Sequence, residues 1–274
     1  MSFWCSALGE PWTWSWQAYP GVWMFIGLLA IGYLEATRRV PDSETSRRRP
    51  FFFVGLVILW IASDWPIGPL GAGYLASVHM LKYLIYSFVV SPLLLHGLPR
   101  EVIRRAINRR FVIDLIKILA RPLVAFAVFN VVMLGTHLPQ VVDGFNPSQL
   151  GSFAIDMAWL FAGLVFWWQV LGPLPELHPL GYPGRIVFLI VNVFIPTVPA
   201  AFLTFADYPI YALYELAPPV GTMSSLVDQQ IAGMIMKIGG AFIIFGTASV
   251  LFFRWYSDEE MGSRKDGKTG SVTA

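Results

Sequence analysis

The stretch "ASVHMLKYLIYSFVVSPLLLHG", Ala76 to Gly97, is almost wholly apolar and yet carries His79, Lys82, Tyr83 and Tyr86. At ~1.5 Å rise per residue it is long enough to cross a hydrocarbon layer about 30 Å thick. Its polar residues follow an i, i+3, i+4, i+7 pattern, which puts them on one helical stripe. A spanning helix with such a stripe turns it inward, because an ammonium in lipid is costly. The segment therefore reads as one helix of a bundle with a polar interior.

The rest of the chain agrees with that reading. Of its 274 residues, 56% are hydrophobic and only 13% charged, too little charge to cover a soluble surface. The mean hydropathy is +0.61. Seven apolar stretches, at about 20–37, 51–66, 74–96, 122–139, 149–170, 185–206 and 228–256, predict an all-α, polytopic membrane helix bundle with seven transmembrane helices. Lys and Arg decide its orientation. Arg38, Arg39, Arg47, Arg48 and Arg49 lie between the first two stretches. Arg100, Arg104, Arg105, Arg109, Arg110, Lys117 and Arg121 lie between the third and fourth. Arg185 precedes the sixth, and Arg254, Arg264, Lys265 and Lys268 stand at or beyond the end of the seventh. All of these fall on one side. The positive-inside rule then predicts an N-terminus outside and a C-terminus in the cytoplasm, as a multi-pass protein of the cell inner membrane. Of the 19 basic residues, only Lys82 and Lys237 lie within apolar stretches and away from their ends.

The organisation follows. Residues 1–19 form an extracytoplasmic segment whose Trp4, Trp12, Trp14 and Trp16 suit a headgroup belt, and Cys5, the single cysteine, reads as an exposed thiol. Residues 20–256 are the seven-helix domain, and the polar residues 257–274 read as a disordered cytoplasmic tail. "REVIRRAINRRFVIDLIKILAR" mixes Arg with aliphatic residues at helical spacing, the pattern of an interfacial helix. Pro92, Pro196 and Pro199 predict interruptions in the third and sixth helices. The net charge of +2 is explained by the topology anchors, so the partner is the lipid bilayer and not a nucleic acid.

Helical spacing and depth identify the polar residues that can meet. His79 lies roughly 7 Å below the outer end of its helix, and Lys82, Asp156 and Lys237 lie roughly 10–14 Å down theirs. Asp156 is the one acid at matching depth and is the predicted partner of one or both lysines. Above this intramembrane charge cluster, His79, His137, Met80, Met133 and Asp228 form an outer set of imidazole, thioether and carboxylate. Imidazole with Met suits copper best among transition metals. The same residues also have structural uses: His as a hydrogen-bonding link, Met as packing, Asp228 as the acid of an S-x-x-D capping box opening the last helix. His96 and His178 fall on the basic side.

"SVHMLKYLIYSFVVSPLLLHGLP", "GTHLPQVVD", "LGPLPELHPLGYPGRIVFLIVNVFIPTVPAAFLTF" and "SLVDQQIAGMIMKIGG" together resemble the CtaG-type cytochrome c oxidase assembly factors over roughly residues 20 to 256. The resemblance implies a seven-helix membrane protein needed to make active haem–copper oxidase, with oxidase subunits as partners and copper insertion as its usual proposed role. It singles out His79, His137 and Asp228. This chain departs from the family pattern at Tyr83, where a second histidine is common, and at Lys237, where an aromatic residue is common.

Two other readings are open at this level. A small membrane permease or ion/proton relay would use the Lys/Asp cluster for transport. A retinal protein would use Lys237, but the third helix holds no acid to serve as counter-ion. HExxH, GxSxG and paired intramembrane acids are all missing from the sequence, so a non-enzymatic role is expected.

Overall fold

A computed structural model describes residues 2–7, 9–107, 110–177 and 180–269. Arg109 and His178 lie outside the described residues, as do the side chains of Arg264, Lys265 and Lys268. The described residues are helical and contain no strand. The order is α1 (Pro20–Thr37), α2 (Asp42–Ser63), α3 (Ile67–Gly73), α4 (Ala76–Gly97), α5 (Arg100–Ala106), α6 (Arg110–Leu119) and α7 (Pro122–Thr136). There follow α8 (Pro139–Phe145), α9 (Gln149–Leu171), α10 (Tyr182–Phe194), α11 (Thr197–Phe205), α12 (Ala212–Glu215), α13 (Ser225–Met234) and α14 (Gly240–Thr269).

Five helical stretches among the described residues are long and apolar enough to cross a membrane. Two bent pairs, α2 with α3 at 51° and α6 with α7 at 81°, raise the number to seven if each is one span. The sharp turn before α7 falls at Arg121–Pro122, where Pro at the first helical position starts a new helix. α14 stays helical to Thr269, past the Ser257 boundary read from composition.

Burial ranks the helices. α4 and α9 are 67% and 61% buried over their apolar windows, against 22% for α1 and 28% for the last span. α4 is thus the central post, packed on α2, α3, α9 and α13. Its stripe faces inward as periodicity requires: His79, Lys82, Tyr83 and Tyr86 are all buried. The helix widens to a π turn over Ile85–Val90, directly before Pro92. Pro92 has no N–H to return to the preceding turn, so the ladder re-pairs there, with the Ser91 hydroxyl donating to the Tyr86 carbonyl at 2.7 Å. A second π turn, Ile235–Gly239, joins α13 to α14, and Pro196 separates α10 from α11.

The two ends of the bundle differ. At one end Arg48 Nη1 donates to the carbonyls of His96 and Leu98, and Arg104 pairs with Glu176. At the other, the N-terminal segment enters the bundle. Phe3 N–H donates to Gln149 Oε1 at 2.8 Å, and Ala7 N–H to the Asn146 carbonyl at 3.2 Å. Trp14 and Trp16 are exposed, but Trp4 and Cys5 are buried. The exposed-thiol expectation is therefore corrected: the Cys5 thiol donates to the Ser63 carbonyl at 3.1 Å. Glycines make the room, since a side chain at Gly68 would strike Cys5 Sγ and one at Gly73 would strike Ala7. Removal from water pushes the Cys5 thiol pKa up.

Candidate functional site

Two histidines meet near the Trp-bearing end of the bundle. His79 stands in the first turns of α4, and His137 caps the C-terminus of α7. Their ring centroids are 6.3 Å apart, and both are buried. His79 Nδ1 lies 3.2 Å from the Gly71 carbonyl and His137 Nδ1 lies 2.6 Å from the Met133 carbonyl. A carbonyl only accepts, so in each ring Nδ1 carries the proton and Nε2 carries the lone pair. Both Nε2 atoms are buried without a hydrogen-bond partner. Fixing Nδ1–H on a carbonyl while Nε2 stays free is how proteins orient imidazole towards a metal.

The surroundings hold these rings still. Trp159 of α9 packs against both, with centroids 4.8 Å from His79 and 6.1 Å from His137, and its Nε1 donates to Thr136 Oγ1 at 2.9 Å. Tyr214 of α12 donates to the same Gly71 carbonyl at 2.7 Å. Gly71 permits this close approach, because a side chain there would press on His79 and Lys82. Tyr83 lies 4.8 Å from His137 between ring centroids, and its hydroxyl is also buried without a partner. Tyr214 and Gly71 were not singled out from sequence. Trp159 had a signal there, one turn beyond Asp156 on the same face.

The other proposed ligands sit differently. Asp228 caps α4 across the helix interface: its carboxylate accepts from Ala76 N–H at 2.6 Å, from Ser77 N–H and from the Ser77 hydroxyl. An anion at an N-terminus satisfies orphan amide donors and the helix dipole together. The cap of its own helix is Ser224, not an acid-bearing capping box from Ser225. Met80 and Met133 are fully buried in the hydrophobic core. Among the described residues no three His, Cys, Asp or Glu side chains gather as a metal-binding group. The two imidazole rings and the Tyr83 ring pack side by side, and each carries a buried polar atom without a partner. Metal–nitrogen bonds of about 2.0–2.1 Å put the centroids of two rings ligating one ion roughly 6–6.5 Å apart at most, and the observed 6.3 Å lies at that limit.

One turn below His79, Lys82 Nζ straddles the Asp156 carboxylate at 3.1 and 3.2 Å. Both side chains are 2% exposed. Asp156 also accepts from Trp4 Nε1 at 3.2 Å and from the Tyr86 hydroxyl at 3.4 Å. The cluster therefore joins α4, α9 and the N-terminal segment. Lys237 does not join it. It sits on the second π turn and donates to Thr197 Oγ1, beside a cavity of about 20 Å³ that Tyr83 and Asn192 also line. No carboxylate lies within ion-pair distance of Lys237 among the described residues.

Comparison with known proteins adds identity to this geometry. The model of the cytochrome c oxidase caa3 assembly factor family matches residues 27–258. The chain is 26% identical over 231 residues to uncharacterized protein Mb0105 of Mycobacterium bovis and, to the same degree, to uncharacterized protein MT0111 of Mycobacterium tuberculosis. The match takes in 75% of this chain but 32% of each relative, so the chain spans about a third of the length of the curated relatives it matches. No solved structure matches it. With the family match covering all but the two ends, the chain belongs to the cytochrome c oxidase caa3 assembly factor family.

Proposed function

We propose that this protein serves oxidase biogenesis by holding a copper ion, as cargo, between His79 and His137 and presenting it to an oxidase subunit at the outer face of the membrane. The observation that carries the reading is the pair of buried, unpartnered Nε2 atoms, each on a ring whose Nδ1–H is fixed by a backbone carbonyl. A buried lone pair with no donor is costly unless something completes it. A neutral imidazole pair in an apolar, aromatic shell suits a soft cation better than Mg²⁺ or Ca²⁺, which take oxygen ligands. A groove of about 470 Å³, lined by His137, Pro139, Phe202, Leu203, Tyr208 and Tyr211, supplies a way in and out at His137. The role is transfer and holding, without catalysis. The positive-inside rule, applied to the basic end of the bundle, supports an outer position for the histidines, which lie near the other end.

The test is copper stoichiometry and affinity of the purified protein, beside oxidase activity in a deletion strain complemented with each variant. The expected result is one copper per chain, lost in His79→Ala and His137→Ala together with oxidase activity. Tyr83→His, which adds a third imidazole next to His137, should bind copper more tightly. Full copper occupancy and normal oxidase activity in the double alanine variant would overturn the reading.

A further inference from the structure

At the basic end, the first turns of α2 and α5 flank an open cavity of about 840 Å³ lined by the arginines Arg47, Arg48, Arg100 and Arg104, the serines Ser43 and Ser46, and the glutamates Glu44 and Glu101. Its walls are fixed. Arg48 Nη1 donates to the carbonyls of His96 and Leu98 at 3.0 and 2.9 Å, tying α2 to the end of α4. Glu44 Oε1 accepts from the Arg100 N–H at 2.8 Å, tying α2 to the start of α5. Arg104 is paired with Glu176 at 2.9 Å, which holds the Glu176 carboxyl below its ordinary pKa. The lining carboxylates are engaged too: Glu44 with Arg48 at 3.5 Å and Glu101 with Arg105 at 3.0 Å. Arg47 and Arg100 remain, with no carboxylate within ion-pair distance among the described residues.

We propose that this cavity binds the phosphate of an anionic phospholipid headgroup, with the acyl chains lying along α2. Guanidinium groups and serine hydroxyls are the donors that recognise a phosphodiester. The neighbouring surface shows why the phosphate belongs to a lipid. Phe51 follows Arg47 by one turn, and Phe51, Val54, Val57 and Ile61 are all exposed, so an apolar stripe leads up α2 from the free guanidinium. Cation below and hydrocarbon track above, at the end of two spans, form the footprint of an amphiphile and not of a free anion or an acidic protein segment. Basic pockets between membrane helices at the leaflet surface take anionic headgroups on the same physical grounds.

The experiment titrates the full-length protein, in neutral detergent, with phosphatidylglycerol, phosphatidylcholine or inorganic phosphate, reading thermal stability and lipid retention by native mass spectrometry. The expected result is saturable stabilisation by phosphatidylglycerol alone. Arg47→Gln with Arg100→Gln should weaken it roughly thirtyfold, at about one basic-group contribution each. Arg110→Gln with Arg121→Gln, basic positions outside the cavity, should leave it unchanged. Equal stabilisation by phosphatidylcholine, equal stabilisation by inorganic phosphate, or equal loss in both double variants would each overturn the proposal. Retention of an acidic protein in place of lipid would do the same. Both variants alter exposed side chains, so a monodisperse elution profile suffices to show that they fold.

Discussion

Replacing Asp156 by Ala should destabilise the protein more than replacing it together with Lys82. In the single variant the ammonium of Lys82, 2% exposed, is left buried with no carboxylate within ion-pair distance among the described residues. Stranding one partner of a buried pair costs about 3–5 kcal/mol. Asp156→Ala also removes the acceptor of Trp4 Nε1 and of the Tyr86 hydroxyl. At about 1 kcal/mol for each lost hydrogen bond, that places the single variant at the upper end of the range. Lys82→Met leaves the carboxylate its Trp4 and Tyr86 donors and should cost about 3 kcal/mol. The double variant Lys82→Met with Asp156→Ala removes both charges and should recover roughly 2–3 kcal/mol relative to Asp156→Ala, because no charge is then left buried without its partner. The assay is a double-mutant cycle on unfolding midpoints in mixed micelles, with far-ultraviolet circular dichroism as readout. A double variant no more stable than Asp156→Ala would refute the view that the pair acts through charge compensation.

Two further outcomes follow from the structure. Asp228→Ala should destabilise the protein by about 1–2 kcal/mol, as removal of a helix cap does, whereas Asp228→Asn should recover most of the loss; thermal unfolding of the two variants measures it, and equal destabilisation by both would count against the cap. Cys5 should resist maleimide in the folded protein even at pH about 9, near an ordinary thiol pKa, because burial raises its pKa and so keeps the thiol protonated across that window; rapid labelling without denaturant would show that the N-terminal segment is not seated.

What was legible in the sequence was periodicity and depth. The stripe from His79 to Tyr86 is a matter of residues per turn, and the match of Lys82 to Asp156 is a matter of rise per residue, and both lie where those lengths put them. Azimuth was not legible. Lys237 has the same depth as Lys82, but the π turn beneath it and the packing of α13 on α11 point it at Thr197. Asp228 was recognisable as a capping acid from "SLVD", but the helix it caps is 152 residues earlier in the chain, a pairing that no local pattern encodes. Cys5 and Trp4 were misplaced for a related reason. Tryptophans near a first span ordinarily sit at the membrane interface. The sign to the contrary was the glycine-rich "IGPLGAG" of α3, whose missing side chains leave a slot for another backbone.

The seating of the N-terminal segment has a temporal consequence. Phe3 and Trp4 leave the ribosome well before the groups that hold them, Gln149 and Asp156, which are synthesised 145 to 152 residues later. Through the insertion of the helices in between, Trp4 has no partner and Lys82 has no counter-ion. Both are satisfied in the same moment, when α9 arrives. Completion of this bundle is thus gated by a helix past its midpoint, and a chain stalled before α9 carries an ammonium with nowhere to put its charge.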